Sequence, residues 1–373
     1  MVRKLVLSFL SATLLYFSPT VNADSTELLG EDQTDKIVDS YAKLFHFEAT
    51  SSDKISVMDF YDTEDNLLGK YYQLEEDGEQ YYMLVSVNTE YSPLFAAGKG
   101  EIKINEVDKN GKLFYLGSLA LFKAKESDGL VESINKNNKN KTKFKKSDFK
   151  VDKNPEAKEK WNKILGPQGS KNISIMSYSE KTLDVDPFTQ WETGVTKPAS
   201  SCGPATMAAI LNYWKEEKGI SQIRGLDYYS TKPHMINHMW QYHGGSILGM
   251  SISSLKTGYE VHVEESTDES DYQIDRSTFN NFFTYKYNID DEEPVAVKFD
   301  KWFTLFEPDA DYDYDYHWTV GVGYVHDGTT DQILIIQDNG VKYTDGTWDW
   351  SKEVYIDYPT NKAIISMVDL RIH

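Results

Sequence analysis

The sequence predicts an α+β protein in which a helical side packs against an antiparallel sheet, with a small β-rich unit placed before both. Three observations support this fold class. Strand-forming runs separated by turn signals fill the first third of the chain. A segment with apolar residues at i, i+3, i+4 and i+7 starts near residue 202. Strand-like runs then follow at 295–299, 318–325 and 333–337.

The first residues have the pattern of a cleavable export signal. A basic start precedes the apolar run from Leu5 to Phe17, and the small-residue site Val21-Asn22-Ala23 follows it. No later segment is apolar over the roughly 20 residues that a membrane helix needs. We therefore assign residues 1–23 to a signal peptide and expect a secreted, extracellular protein with no membrane association after cleavage.

The strongly acidic composition disfavours nucleic acid and anionic membranes as partners. The chain has 373 residues, a formal net charge of −20 and a pI near 4.8, so its field repels nucleic acid and anionic membranes. With 40% hydrophobic and 13% aromatic residues it can bury a core. After signal removal the length suits two domains, and we expect a monomer.

Residues 24–135 are predicted to form the β-rich unit. A helix is expected around Lys36 to Phe47, and Asp77-Gly78 and Asn110-Gly111 are typical hairpin turns. Runs such as Tyr81 to Val85 are rich in strand formers. The unit contains no constellation of catalytic side chains.

Residues 136–179 differ from the rest in being rich in lysine and asparagine. This composition predicts an exposed basic linker. A short helix is expected over 157–165, since Asn154 can cap it and Pro155 suits its first turn. The linker is either a solvated spacer or a region of maturation cleavage.

Residues 180–373 contain the one cysteine of the chain, Cys202, which cannot form an intramolecular disulfide. The thiol is either a small buried apolar group or a reactive one. The run from Ser200 to Trp214 predicts a helix that begins at Cys202, with Pro204 in its first turn. Backbone N–H groups at a helix start stabilise a thiolate. Gly203 is expected to keep the backbone open for a substrate.

A proton partner for this thiol is expected on a strand. His317 opens a strand-like run containing Gly321 and Gly323, which leave room beside it. The next strand ends at Asp338 and Asn339, and one of these side chains could orient the imidazole. We favour Asp338 and keep Asn339 as the alternative.

The segments SSCGPATMAAILNYW, HWTVGVGY and QDNG, in that order, resemble the papain-like clan of cysteine peptidases and especially its bacteriocin-processing (double-glycine) members and their secreted relatives. The resemblance covers about half of the chain. It implies the papain-like fold, with Cys202 as nucleophile, His317 as base, Asp338 as orienting residue and no cofactor. Family members usually have proline where this chain has Asn339. Their oxyanion-hole glutamine lies closer to the cysteine than Gln190, the nearest candidate, and Thr196 stands about where that glutamine is expected.

These features predict a secreted cysteine peptidase that hydrolyses peptide bonds through an acyl-enzyme. The run EQYYMLVSVNTEYSPLFAAGKG is similar to pro-regions of secreted bacterial cysteine proteases, so the N-terminal unit is expected to inhibit or chaperone the catalytic domain. Two alternatives stay open. The same triad could serve an amidase or acyltransferase acting on cell-wall peptides, or the chain could be a non-catalytic binding protein on a degenerate peptidase scaffold.

Two further groups of residues have the side chains of metal ligands, but neither has the arrangement of a metal site. His234 and His238 share a helix face and His243 follows, but no carboxylate accompanies them, so we favour solvated or packed histidines and no metal. Asp309, Asp311, Asp313 and Asp315 lack the spacing of a calcium loop. We expect this acidic loop to border the substrate cleft, to favour the imidazolium form of His317 and to select basic substrates.

Overall fold

The computed structural model describes most of the chain after the first 27 residues. The described residues are 28–102, 104–117, 120–137, 143–166, 178–247, 249–267, 272–300, 316–328, 331–342, 348–349 and 353–373. The expected signal peptide at 1–23 lies outside them. Within them no helix is both long enough and apolar enough to cross a membrane.

Helices occur along the whole chain but are longest in its second half. They are α1 (Glu31–Leu44), α2 (Ser127–Asn137), α3 (Ala157–Leu165), α4 (Cys202–Glu216), α5 (Leu226–Tyr229), α6 (Lys232–Tyr242), α7 (Ile252–Ser266), α8 (Phe282–Asp290) and α9 (Tyr358–Asn361). The predicted helices near residues 36, 157 and 202 therefore all form, although α1 begins five residues earlier than expected.

The strands of the described residues fall into two groups along the chain, one between α1 and α2 and the other after α3. They are β1 (Lys54–Tyr61), β2 (Leu67–Glu76), β3 (Glu79–Ser86), β4 (Leu94–Lys99), β5 (Ile104–Glu106), β6 (Lys112–Tyr115), β7 (Leu121–Ala124), β8 (Ser179–Thr182), β9 (Ile274–Asp275), β10 (Thr278–Phe279), β11 (Val295–Asp300), β12 (Tyr316–His326), β13 (Gln332–Gln337), β14 (Val341–Lys342), β15 (Trp348–Asp349), β16 (Glu353–Asp357), β17 (Ile365–Val368) and β18 (Arg371–Ile372). The three strands expected in the second half are β11, β12 and β13.

Most strands belong to one sheet that runs through both halves of the chain. Its order is β10-β17-β11-β12-β13-β16-β4-β3-β2-β1-β6-β7-β5, with β8 added to β12. Strands β4 and β16 join the halves in antiparallel register, with Val354 opposite Gly98 and Ile356 opposite Ala96. The core follows the sheet, since Phe45 of the first half stacks on Tyr355 at 4.3 Å. The N-terminal unit and the C-terminal half thus share backbone pairing and apolar packing.

The two predicted hairpin turns have different outcomes. Asp77 and Gly78 both have positive φ and connect the paired strands β2 and β3, as expected. The expectation for Asn110-Gly111 was wrong, because β7 lies between β5 and β6 and those two strands do not pair. Glycine is required at position 111 for a different reason, which is close packing: a Cβ there would lie 2.2 Å from the backbone of Ala124.

The basic segment is not an exposed spacer where the structure describes it. Helix α3 forms as predicted, with the side chain of Asn154 accepting from the backbone N–H of Glu156 at 2.9 Å. Trp161 is buried and donates from Nε1 to the carbonyl of Tyr91 at 2.9 Å. Composition indicated solvent exposure because it averages over lysines, whereas one face of α3 packs against the sheet.

Lys160 on that face is 1% exposed and forms a buried ion pair. Its Nζ lies 2.7 Å from Asp357 Oδ1 and 3.3 Å from Asp331 Oδ1. Burial alone would lower the pKa of Lys160, but the two carboxylates outweigh it and raise the pKa to about 12. Asp357 also accepts from the backbone N–H of Thr360 at the start of α9. Lys160 therefore links α3 to strand β16 and to Asp331, the residue before β13.

We expect Lys160→Ala to lower the free energy of unfolding by about 3–5 kcal/mol, because it leaves two carboxylates buried without their cation. Lys158→Ala is the matched control, since Lys158 is exposed on the same helix and its loss should change stability by less than about 0.5 kcal/mol. Urea unfolding of both variants measures the difference. Equal effects would contradict a stabilising role for the buried pair.

Candidate active site

Helix α4 begins at Cys202, as the sequence predicts, and is the central helix of the C-terminal half. Every residue from Cys202 to Trp214 is buried, so the helix is surrounded rather than amphipathic. It packs against β12 on one side and against α6 and α7 on the other. This packing fixes the position of the cysteine relative to the sheet.

Gly203 serves close packing rather than an open approach to the backbone. It is buried, and a Cβ on it would lie 2.7 Å from Cβ of Met250. The carbonyl of Met250 in turn accepts from Trp318 Nε1 at 2.7 Å. The expectation that this glycine keeps the chain open for a substrate was therefore wrong, because the loop before α7 fills that space.

Strand β12 carries His317 next to the start of α4. It lies between β11 and β13, with His317 opposite Phe299. Gly321 and Gly323 leave room beside the strand as predicted: a Cβ at Gly321 would meet the ring of Tyr285 at 2.5 Å. Tyr285 uses this space to donate from its hydroxyl to the carbonyl of Gly323 at 2.8 Å.

His317 and Asp338 form a short polar contact in the site. His317 Nε2 lies 2.6 Å from Asp338 Oδ1, and the two side chains are 2% and 15% exposed. Burial alone would lower the pKa of His317, but the charge and hydrogen bond of Asp338, together with an interaction with Cys202, raise it to about 9. The imidazole is therefore held as a cation at neutral pH, placed between a carboxylate and a thiol.

Asn339 is hydrogen-bonded to α4 and β12, whereas its alternative role was to orient the imidazole of His317. Its Nδ2 lies 2.8 Å from the carbonyl oxygen of Cys202 and 2.6 Å from that of Trp318. The same amide contacts Thr206 Oγ1 at 2.9 Å. Asn339 thus fastens the start of α4 to β12, and the residue that contacts the imidazole is Asp338.

Gln190 lies beside the turn that follows β13. Its backbone N–H donates to the carbonyl of Asn339 at 3.0 Å, and its side-chain Nε2 donates to the carbonyl of Pro198 at 2.8 Å. Its Oε1 is buried without a hydrogen-bond partner in the described part of the chain. The structure places Gln190 near the segment that leads into Cys202, with one amide proton already used.

The structure also brings Tyr82 of the N-terminal unit to this region. Tyr82 lies on β3 and is buried, and its ring occupies the space beside Gly98 of β4. Burial and the charge on Asp338 raise the pKa of Tyr82 well above its usual value. Neither Tyr82 nor Met250 was predicted, because each reaches the site through pairing or packing distant in sequence. The acidic loop at 309–315 lies outside the described residues.

A cysteine at the start of a buried helix, a histidine on the adjoining strand and an aspartate after the next strand form an arrangement that is typical of cysteine peptidases. The model of the peptidase C39-like family matches residues 182–365. That part of the chain belongs to the C39-like family of cysteine peptidases.

Comparison with solved and curated proteins gives two further results. A solved protein of Bacillus anthracis described as a C39-like peptidase overlaps with a TM-score of 0.31 and 11% identity, over 52% of this chain and 99% of that one. No curated protein matches the sequence significantly.

The raised pKa of His317 predicts a measurable titration. Because the folded-state value of about 9 exceeds the usual 6.5, the charged imidazole stabilises the fold fully below about pH 6.5, and this contribution is lost as the pH rises through 9. Asp338→Asn should move the pKa of His317 downward, since it removes the nearest negative charge. Histidine-selective NMR titration of the full chain measures both values.

Asn339→Ala is the control for that titration. Asn339 contacts two backbone carbonyls and a hydroxyl. Its loss should therefore cost about 1–3 kcal/mol of stability while leaving the pKa of His317 high. A fall in this pKa in the Asn339 variant, but not in the Asp338 variant, would reverse the two assignments.

Proposed function

We propose that this chain is the precursor of a secreted cysteine peptidase that hydrolyses peptide bonds with Cys202, His317 and Asp338. The observation that carries the proposal is the contact of His317 Nε2 with Asp338 Oδ1 at 2.6 Å, on an imidazole whose pKa is raised by both Asp338 and Cys202. A histidine that only packs in the core does not require a carboxylate on one side and a thiol at a helix start on the other. A catalytic base requires both, because it takes a proton from the nucleophile and is oriented by the carboxylate.

The proposed reaction follows from these positions. The Cys202 thiolate attacks the peptide carbonyl carbon, and the oxyanion that forms is stabilised by N–H groups at the start of α4. The imidazolium of His317 gives its proton to the leaving amine as the C–N bond breaks, which leaves an acyl-enzyme. The neutral imidazole then takes a proton from water, whose oxygen attacks the thioester and releases the acid and Cys202. Asp338 holds the imidazole throughout.

The amide of Gln190 is the proposed side-chain donor to the oxyanion. One of its N–H groups is bound to the carbonyl of Pro198, so the second is the one for substrate. Cys202 is four residues from Pro198, which keeps the amide near the helix start. The role rests on this proximity and on the family resemblance.

We further propose that the N-terminal unit is a pro-region and that residues 1–23 direct export. The pairing of β4 with β16 and the burial of Tyr82 near Asp338 support a unit that covers or supports the site. Cleavage after export is proposed for the part of residues 136–179 that follows α3, since α3 itself packs against the sheet.

One observation favours a second candidate, a non-catalytic binding protein. Cys202 is 0% exposed and His317 1% exposed, so neither is open to a substrate in this state. A latent precursor explains the same burial, because activation would then have to open the site. Reactivity of the thiol after linker cleavage separates the two candidates.

Substitutions in the site are expected to abolish peptide hydrolysis. With a specific protease site inserted between residues 166 and 178 of the full chain, and the chain cut there, Cys202→Ala and His317→Ala should each lower kcat/KM about 10⁴-fold or more. Asp338→Asn should lower it by about 10²-fold or more. Hydrolysis of a peptide library measures the effect, and peptidoglycan fragments assayed in parallel test the amidase alternative.

His326→Ala serves as the control, because His326 lies at the far end of β12 from His317. It should keep most of the activity. Full hydrolysis by the Cys202→Ala variant would refute the nucleophile, and an inert thiol in a folded, cut wild-type chain would favour the binding protein.

Linker cleavage should expose the thiol. The intact chain is expected to react slowly with a bulky maleimide because Cys202 is fully buried, and the cut chain about 10-fold faster or more, since cleavage lets the site open. Intact-mass measurement of labelling over time gives both rates, with Cys202→Ala as the unlabelled control. Equal rates would contradict a shielding pro-region.

A further inference from the structure

Three histidines converge on the helical side of the C-terminal half, away from the residues of the proposed triad in sequence. His238 lies in α6, His243 directly follows α6 and His262 lies in α7. His243 Nε2 is 3.1 Å from His238 Nε2 and 3.3 Å from His262 Nδ1. One ring nitrogen from each of the three lies within 4.8 Å of the others.

Two glycines let the backbone of α7 come close to the end of α6. Gly258 in α7 faces the carbonyl of His243 so closely that a Cβ would lie 1.9 Å from that oxygen. Gly244, which follows His243, has φ +95 and turns the chain back toward α7. Two glycines therefore let α7 pack directly on the end of α6 and bring His262 against His243.

His262 is held in the tautomer of a metal ligand. Its Nε2 lies 3.2 Å from the carbonyl oxygen of Arg224, which can only accept, so Nε2 carries the proton. Nδ1 then has a free lone pair directed at His243. A ligating histidine typically uses its second ring nitrogen in this way, to donate to a carbonyl or a carboxylate.

Hydrogen bonds within the cluster do not satisfy both ring nitrogens of His243. His243 Nε2 faces two nitrogens and carries either one proton or one lone pair. If it donates to His262, His238 can only accept a share of the same hydrogen, and if it accepts from His238 it meets the lone pair of His262. Its Nδ1 is also buried without a hydrogen-bond partner in the described chain. A cation bound by all three nitrogens removes the conflict at Nε2.

The cluster is buried on one side and open on the other. His243 and His262 are each 1% exposed, and His238 is partly exposed, which leaves a route to solvent. Glu265 contributes a negative charge nearby and Arg224 a positive one. Buried imidazoles favour the neutral form, which is the form that binds a metal.

We propose that His238 Nε2, His243 Nε2 and His262 Nδ1 bind a divalent transition-metal ion, with zinc the first choice. With zinc–nitrogen bonds of about 2.0–2.1 Å, a tetrahedral site separates its nitrogens by about 3.3–3.4 Å, close to the two short separations here. Three imidazoles suit zinc and its later transition-metal neighbours and disfavour calcium or magnesium. The fourth position is left for water.

This cluster differs from the group of His234, His238 and His243 that the sequence places together. His234 and His238 do share a face of α6, but His234 Nδ1 lies 3.3 Å from the carbonyl of Tyr229 and takes no part in the cluster. The third ligand is His262, which no spacing rule connects with α6. His243 is buried, which is the packed environment of the two that the sequence analysis allows, and no expectation was made for His262.

The metal would connect α6 and its last turn to α7, and these two helices flank the loop that contains Met250. This loop packs against Gly203 and accepts from Trp318, so it supports the start of α4. Metal binding should therefore stabilise the helical side of the fold.

The test is zinc binding to the untagged full chain carrying Cys202→Ala, which removes the thiol as a competing ligand. Equilibrium dialysis followed by elemental analysis should give one zinc per chain. Adding His262→Ala or His238→Ala should weaken binding about 100-fold or more, and adding His234→Ala should leave it unchanged. Zinc at about 100 times its Kd should raise the Tm by roughly 5 °C in the parent and not in the His262 variant.

Cobalt(II) gives a second measurement that does not depend on stability. Its visible absorption is intense in a tetrahedral site and weak in water, so the parent should develop the strong spectrum and the His238→Ala variant should not. His238 is the most exposed ligand, and its substitution should leave the fold intact. Absence of one bound zinc in the parent, or equal binding by the parent and the His238 variant, would overturn the proposal.

Discussion

The attachment of the start of α4 to the sheet is the constraint on which the rest of the C-terminal half depends. One amide, that of Asn339, holds the carbonyl of Cys202 and the carbonyl of Trp318 at the same time. The helix start and β12 cannot then shift independently. Because Asp338 precedes Asn339, the same turn that fixes the helix also places the carboxylate against His317. Site geometry and core packing are therefore set by one short segment after β13.

Electrostatics in the site follows from this fixed geometry. A buried imidazole alone would prefer to be neutral, as His243 and His262 show. His317 is as buried as they are, yet its pKa shifts in the opposite direction. The difference is the partner: a carboxylate at hydrogen-bonding distance outweighs desolvation, whereas neighbouring imidazoles add to it. The chain thus keeps one histidine charged and others neutral within a single domain.

Local patterns predicted the elements that carry the site. The apolar periodicity after Cys202, the glycines of β12 and the Asp77-Gly78 turn each act within a few residues, so one sequence suffices to find them. Non-local features were missed for a physical reason. Pairing of β4 with β16, burial of Lys160 and the approach of His262 to His243 depend on contacts across tens to hundreds of residues. The roles of Asp338 and Asn339 differ only through their positions in three dimensions, because both are hydrogen-bonding side chains at the same strand end.

The shared sheet has a consequence for how the molecule could mature. Strand β16 lies between β13 and β4, so physical departure of the N-terminal unit would leave β16 as an unprotected edge strand whose backbone groups could recruit another chain. The buried faces of Phe45 and Tyr355 would be uncovered with it. A cut in the connecting segment avoids this cost if the two pieces remain paired. If the chain matures by cleavage as proposed, the shared sheet favours a nicked, two-chain product over release of the C-terminal half alone.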